Sequence, residues 1–271
     1  SNDSRGLAAR GGRAEAARAA LDRGVAGGAG GSRLLRGNHD EHEALEAEAA
    51  AFFGAEATLF LPTGYTANSA LLATLPQKQD HIFADALIHA SCHEGLRLSR
   101  APHTLVPHND VAAFETAITA WRAGGGTGRA WIVVESLYSM DGDMAPLAGL
   151  NALAHAQDAV LVVDEAHATG VFGPGGRGLV ADLPERERIL SLHTLGKGLG
   201  CEGALLAGPR VMREFLVNRA RGFIFSTAPS PLNAAIARAA LRISVQGDDL
   251  RADLMARIAH AQALLGPLGA L

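Results

Sequence analysis

Seven short apolar runs, separated by stretches that favour helix, constrain this chain more than any other feature. The runs are Ala57–Leu61, His81–Phe83, Thr104–Val106, Ala130–Val134, Val160–Val163, Ile189–Leu192 and Gly203–Ala207. Each is too short for a buried helix and too uniformly apolar for a half-exposed strand, so both faces are expected to be covered. Helices are expected over 12–23, 40–53, 66–75, 110–122, 147–157, 209–219 and 231–265, with a glycine-rich loop at Gly24–Gly31. Buried strands alternating with helices give an α/β fold around a mainly parallel, seven-stranded sheet. The helical stretch beyond 235 is expected to lead into a second, smaller domain.

Composition narrows the function classes. A 271-residue chain that is 48% hydrophobic can bury a large core. A net charge of -4 gives no electrostatic reason to expect nucleic acid or an anionic membrane as partner. Two cysteines, Cys92 and Cys201, cannot form a disulfide framework, which makes a reducing cytoplasm the expected compartment. No apolar run approaches the ~20 residues of a membrane helix. The chain starts at Ser1 and stops at Leu271 within a helical pattern, so further residues are expected at both ends.

In open α/β sheets ligands bind beyond the carboxyl ends of the strands. The polar residues directly after the apolar runs are therefore the candidates: Thr63-Gly64-Tyr65, Glu135 to Ser139, Asp164-Glu165-Ala166-His167 and His193-Thr194 through Lys197. Lys197 lies in Gly196-Lys197-Gly198, which resembles part of a phosphate-binding P-loop. That reading fails because Gly198 replaces the required Ser or Thr and position 191 is serine, not glycine. Lys197 is left as a phosphate ligand, a Schiff-base lysine or a solvated loop residue. Asp164-Glu165-Ala166-His167 resembles a helicase acidic box, but without a P-loop there is nowhere to place a nucleotide. A carboxylate at the tip of a buried strand needs a partner, and Asp164 is read either as one half of a local pair or as a ligand for a cation. His39, His42 and Glu43, or Cys92 with His93, do not form a metal-ligand set, so no metal is expected. His89, after the second run, could stack on a flat ring or be an ordinary polar residue.

One ligand would satisfy all of these groups. It needs a phosphate for glycine-rich backbone, a cationic ring nitrogen for Asp164, a flat face for His89 and an aldehyde for Lys197. Pyridoxal 5'-phosphate has all four.

The chain resembles the α-oxoamine synthases, fold-type I pyridoxal-phosphate enzymes, over nearly its whole length. The resemblance is carried by Ser1-Asn2-Asp3, Gly30-Gly31-Ser32-Arg33 with Gly37-Asn38-His39, Thr63-Gly64-Tyr65 with Ala67-Asn68, and His89-Ala90-Ser91. It continues through Glu135 to Asp143, Asp164 to Gly170, Gly173 to Gly178, Thr194 to Lys197 and Phe223 to Ala228. It implies a cofactor-binding large domain over 1–235 and the start of a C-terminal domain over 236–271. It also implies a pyridoxal-phosphate-dependent acyltransferase, most similar to members that condense L-alanine with a pimeloyl thioester in biotin synthesis. Sister members use glycine or serine with another acyl-CoA, and a noncatalytic regulatory paralogue is the reading from another class, which Lys197 opposes. Matched position by position, Lys197 would be the Schiff-base lysine and Asp164 the partner of the ring nitrogen. His167 and Ser139 would reach the phenolic oxygen, and His89 would stack on the ring and meet the substrate. Gly64, Tyr65 and Thr194 would hold the phosphate. Ser226 or Thr227 would reach the phosphate of a second subunit in a homodimer, and Asn2 would stand near the substrate carboxylate.

Overall fold

The computed structural model describes Asp3, Gly6 and residues 11–265. Two helices, α1 (Gly11–Asp22) and α2 (Asp40–Phe53), precede β1 (Ala57–Leu61) and α3 (Gly64–Thr74). The chain continues through β2 (His81–Asp85), α4 (Ala90–Leu98), β3 (His103–Val106), α5 (Val111–Ala123), β4 (Ala130–Glu135), α6 (Leu147–Ala156) and β5 (Val160–Asp164). After three 3-10 turns come β6 (Ile189–Thr194), β7 (Ala204–Gly208), α7 (Arg210–Arg219), α8 (Arg221–Ile224), α9 (Pro231–Val245) and α10 (Asp248–Leu265).

The strands form one sheet in the order β1-β7-β6-β5-β4-β2-β3. β6, β5, β4, β2 and β3 run parallel, and β7 lies antiparallel to both of its neighbours. All seven apolar runs are strands, with ends shifted by at most two residues. Every residue of β1, β4 and β5 is buried, as two covered faces require. Alternate side chains then serve opposite layers. Val160 and Val162 pack with Leu71, Leu72 and Leu96 of α3 and α4, while Leu161 and Val163 pack with Phe114, Ile118 and Leu150 of α5 and α6. A third cluster joins Leu45 of α2, Ala237 and Leu241 of α9, and Phe60 and Leu205 of the sheet. Burying one such leucine contributes about 1.5–3 kcal/mol, so these layers fix where each strand ends.

Two features differ from the sequence expectation. Residues 90–98 form a helix although Cys92, His93 and Gly95 weaken that pattern. α4 exists because it packs directly on α3: a Cβ at Gly95 would lie 2.8 Å from Leu72 Cβ and 3.1 Å from Asn68 O. Glycine therefore lets the two helices approach, and packing outweighs the propensity cost of about 1 kcal/mol. The stretch 231–265 is two helices, interrupted at Gln246-Gly247. α9 runs unbroken across position 235 and packs into the third cluster. In α10 only Arg251 is buried among the described residues.

Candidate active site

The parallel strands end side by side, and their last residues carry the chemistry. Glu135 closes β4 and Asp164 closes β5, and the two are register partners across the sheet. Thr194 closes β6, and Lys197 follows three residues later. Across from them, Thr63 caps α3 by accepting from the Thr66 amide at 3.0 Å. This leaves the first-turn amides of Gly64 and Tyr65 without intrahelical acceptors, facing the strand ends. A pocket here is lined by Gly64, Tyr65, His89, Asp164, Thr194 and Lys197, joined by Asn68, Ser91 and Glu135.

The lysine loop contains glycines but is held firmly. Leu195 and Leu199 are fully buried in the third cluster. The Leu195 amide donates to Gly203 O, the Cys201 amide to Leu195 O, and the Gly200 amide to Lys197 O. Gly198 passes so close to the chain after β5 that a Cβ would lie 2.5 Å from Thr169 O. These anchors aim the Lys197 side chain back over β5. Its Nζ lies 2.6 Å from His167 Nε2. Burial holds the Lys197 pKa below its ordinary value, against the opposing pull of Asp164 and Glu135. Burial, then the neighbouring Lys197 charge, lowers His167 to about 4, so its imidazole is neutral in the pH range where Lys197 could act.

A polar chain runs beneath the pocket. Asn68 Nδ2 donates to Asp164 Oδ2 at 2.7 Å and to Ser91 Oγ at 3.0 Å. The Ser91 hydroxyl lies 2.8 Å from His89 Nδ1, and the Ser91 amide donates to that same nitrogen at 3.2 Å. Nδ1 is therefore an acceptor, which assigns the proton of neutral His89 to Nε2. Asp164 also accepts from the Ala166 amide at 2.9 Å. Burial raises the Asp164 pKa despite these donors and the nearby Lys197 and His89. A cation brought against this carboxylate would relieve that penalty.

The sequence-derived residues do not all converge. Ser139 is exposed and Thr227 is exposed, while Ser226 is half-buried; none of them lines this pocket. Ser226 and Thr227 belong to a segment tied to the glycine-rich loop, where the Ala228 amide donates to Gly31 O. Asn2 lies outside the described residues. His193, at the tip of β6, points into the core: it stacks on Phe53 with ring centroids 3.6 Å apart and bonds Thr169 Oγ1 and Ser191 Oγ. Asn68 and Glu135 stand within motifs noted in the sequence, yet their places became clear only with α3 packed on α4 and β4 paired with β5. The sequence signal for Glu135 was a carboxylate directly after an apolar run.

Pyridoxal phosphate fits this donor set. The free amides at the start of α3, with Thr194 beside Gly64, suit a phosphate. A Cβ on Gly64 would stand 3.4 Å from Thr194 Oγ1, which puts the two phosphate-facing elements in contact. The buried Asp164 carboxylate suits a ring nitrogen cation, and the Lys197 amine suits an aldehyde.

Comparisons with known proteins agree with this geometry. The model of the family described as aminotransferase class I and II matches residues 1–269. The chain is 43% identical to an 8-amino-7-oxononanoate synthase of Herminiimonas arsenicoxydans over 269 residues, covering 97% of this chain and 68% of the relative. Among solved structures, a serine palmitoyltransferase of S. paucimobilis with a bound pyridoxal-phosphate–myriocin adduct superposes with a TM-score of 0.87 at 29% identity, covering 98% of this chain and 67% of the other. An 8-amino-7-oxononanoate synthase of Francisella tularensis superposes with a TM-score of 0.82 at 28% identity, covering 98% and 74%. This chain thus spans about two thirds of the length of such relatives. Its cofactor is pyridoxal 5'-phosphate. The fold, the strand-end pocket and these matches place the chain in the aminotransferase class I and II family, among its α-oxoamine synthases.

Proposed function

We propose that the protein to which this chain belongs joins L-alanine to the acyl carbon of a pimeloyl thioester. The products are 8-amino-7-oxononanoate, carbon dioxide and the free thiol, a step of biotin synthesis. Support comes from the 42–43% identity to enzymes of that name across nearly the whole chain. The observation that carries the chemistry is the convergence of Lys197, Asp164 and His89 on one pocket. When bound, the cofactor supplies an electron sink for the negative charge left at the amino acid's α-carbon.

This chain's own residues do the rest. Lys197 holds the cofactor and, with its pKa lowered by burial, takes and returns the α-proton. Asp164 keeps the ring nitrogen protonated, held in place by Asn68. His89, lining the same pocket, would cover the ring face and offer Nε2–H to the thioester oxygen. The Gly64 and Tyr65 amides and the Thr194 hydroxyl hold the phosphate. His167, beside the Lys197 amine, would serve the phenolic oxygen; Ser139, exposed outside the pocket lining, would join it only by turning inward, and Asn2 would serve the substrate carboxylate.

Ser226 and Thr227 would serve the phosphate site of a second copy. A homodimer suits the surface: Tyr65 is 49% exposed, Leu87 46%, Met140 90% and Phe225 70%, and each stands within two residues of a site residue. α10 begins the smaller domain. The reaction takes place in the cytoplasm, in keeping with two unpaired cysteines; among the described residues no helix is long and apolar enough to cross a membrane.

A second reading keeps the mechanism with serine as amino acid, favoured by the higher TM-score to serine palmitoyltransferase. Thiol release by the full-length protein, with L-alanine, glycine or L-serine and pimeloyl-CoA, separates the two. Release confined to L-alanine is expected. A preference for serine would transfer the activity to the sister reaction.

A further inference from the structure

Glu135 has no part in the account above, yet it lines the pocket and is 2% exposed. It sits at the same rung of the sheet as Asp164, so two carboxylates enter one buried wall from neighbouring strands about 4.8 Å apart. Asp164 is served by Asn68 and the Ala166 amide. The Glu135 Oε1 atom is buried with no hydrogen-bond partner. Backbone amides of His89 and Ser139 approach its carboxyl group, one from each segment that carries an expected cofactor contact. The other charged or titratable groups facing it are Asp164 on β5, Lys197 after β6, Cys92 on α4 and Tyr138 after β4.

A buried carboxylate with one oxygen unsatisfied and a second carboxylate at the next strand is costly as an anion. As an acid it places a donor on the orphaned side. We propose that Glu135 is a positioning residue of the cofactor pocket, held there as a neutral carboxylic acid, so that Asp164 alone supplies the negative charge for the ring nitrogen. Neutral Glu135 also removes one of the two anions that make Lys197 hold its proton, while the His89 and Ser139 amides stay close to its carboxyl group. Burial, then Asp164, raises its pKa to about 7, so the acid form prevails below about pH 7 and is lost as pH rises through that value, where Lys197 becomes a weaker proton donor.

This inference rests on the cofactor pocket and not on which substrates are used. The test is carbon-13 NMR of full-length protein labelled at glutamate Cδ, with and without pyridoxal phosphate, between pH 5 and 9. Glu135→Gln identifies the signal; if that variant does not fold, Glu135→Asp, which removes the labelled Cδ from this position, does so. The expected result is a Glu135 carboxyl that titrates near 7 or above. A carboxyl already ionised at pH 5 would overturn the proposal. A second readout is the visible absorbance of the bound cofactor against pH. Glu135→Gln should remove one titration step near 7 while keeping cofactor affinity within about threefold. An unchanged profile would reduce Glu135 to a packing residue. Absence of any cofactor band in the wild type would instead sink the site itself, which the NMR of the protein without cofactor distinguishes.

Discussion

Glu135 and Glu165 are two buried glutamates at neighbouring strand ends, and both are raised to about 7. Their surroundings differ. Glu165 accepts from the Val180 amide at 2.6 Å, the Ser136 hydroxyl at 2.9 Å and the Leu179 amide at 3.0 Å. Its carboxyl closes the turn after Gly178, where a Cβ would meet Glu165 Oε2 at 2.6 Å. Glu135 has an oxygen with no partner and faces the pocket. A raised pKa therefore does not by itself mark a functional group. Satisfaction does: the fully bonded acid is a clip within the fold, and the unsatisfied one is available to a ligand.

The largest expected effect lies on the pocket side. Lys197→Ala should abolish turnover, at least about 10³-fold, while leaving the melting temperature within a few degrees; appreciable multiple-turnover activity would remove Lys197 from its role. Asp164→Asn should retain cofactor but lower turnover by about 10²-fold or more, because an amide cannot hold the ring nitrogen protonated. Normal turnover in that variant would contradict the pairing.

On the clip side, Glu165→Ala leaves the Leu179 and Val180 amides without an acceptor and turns the Ser136 hydroxyl to the Asp164 carbonyl, and should cost about 2–4 kcal/mol in denaturant unfolding. Its effect on kcat per folded molecule should be small. A loss of activity without loss of stability would erase the distinction between the two glutamates.

The smallest effect is in the pH dependence of stability. Both glutamates have folded pKa values above the ordinary 4.5. Between about 4.5 and 7 the unfolded chain releases their protons and the folded chain does not, so each lowers stability as pH rises through that window. The difference between Glu135→Gln and wild type should therefore grow over this range and level off above it, by at most about 3 kcal/mol. His193 acts in the opposite sense. Burial holds it neutral to about 3, so it costs stability as pH falls below about 6.5. Urea titrations at pH 4.5, 6 and 8 separate these slopes, and a pH-independent difference for Glu135→Gln would show that this carboxyl does not titrate in the fold.

The fold was largely legible because each strand is buried on both faces, which turns its sequence into a short apolar run. α4 was hidden because Gly95 and Cys92 answer to packing on α3, where Gly95 meets Leu72 and Asn68, more than twenty residues away in sequence. Lys197, Asp164, Thr194 and Gly64 could be read from position alone, since strand ends and helix starts are local features. Asn68 and Glu135 could not be given roles in this way. Their significance depends on cross-strand register and helix packing, which no single motif encodes. His193 shows the converse: a polar residue at a strand end whose side chain faces the core.

The most direct test uses the fact that the chain contains two lysines, Lys78 and Lys197. Lys78 lies in the turn before β2, away from the pocket lining. Full-length protein is loaded with pyridoxal phosphate, reduced with borohydride, digested and analysed by mass spectrometry. The account predicts one pyridoxyl group, on the peptide carrying Lys197, with Lys78 unmodified. A label on Lys78 alone, or none on either peptide, would contradict it.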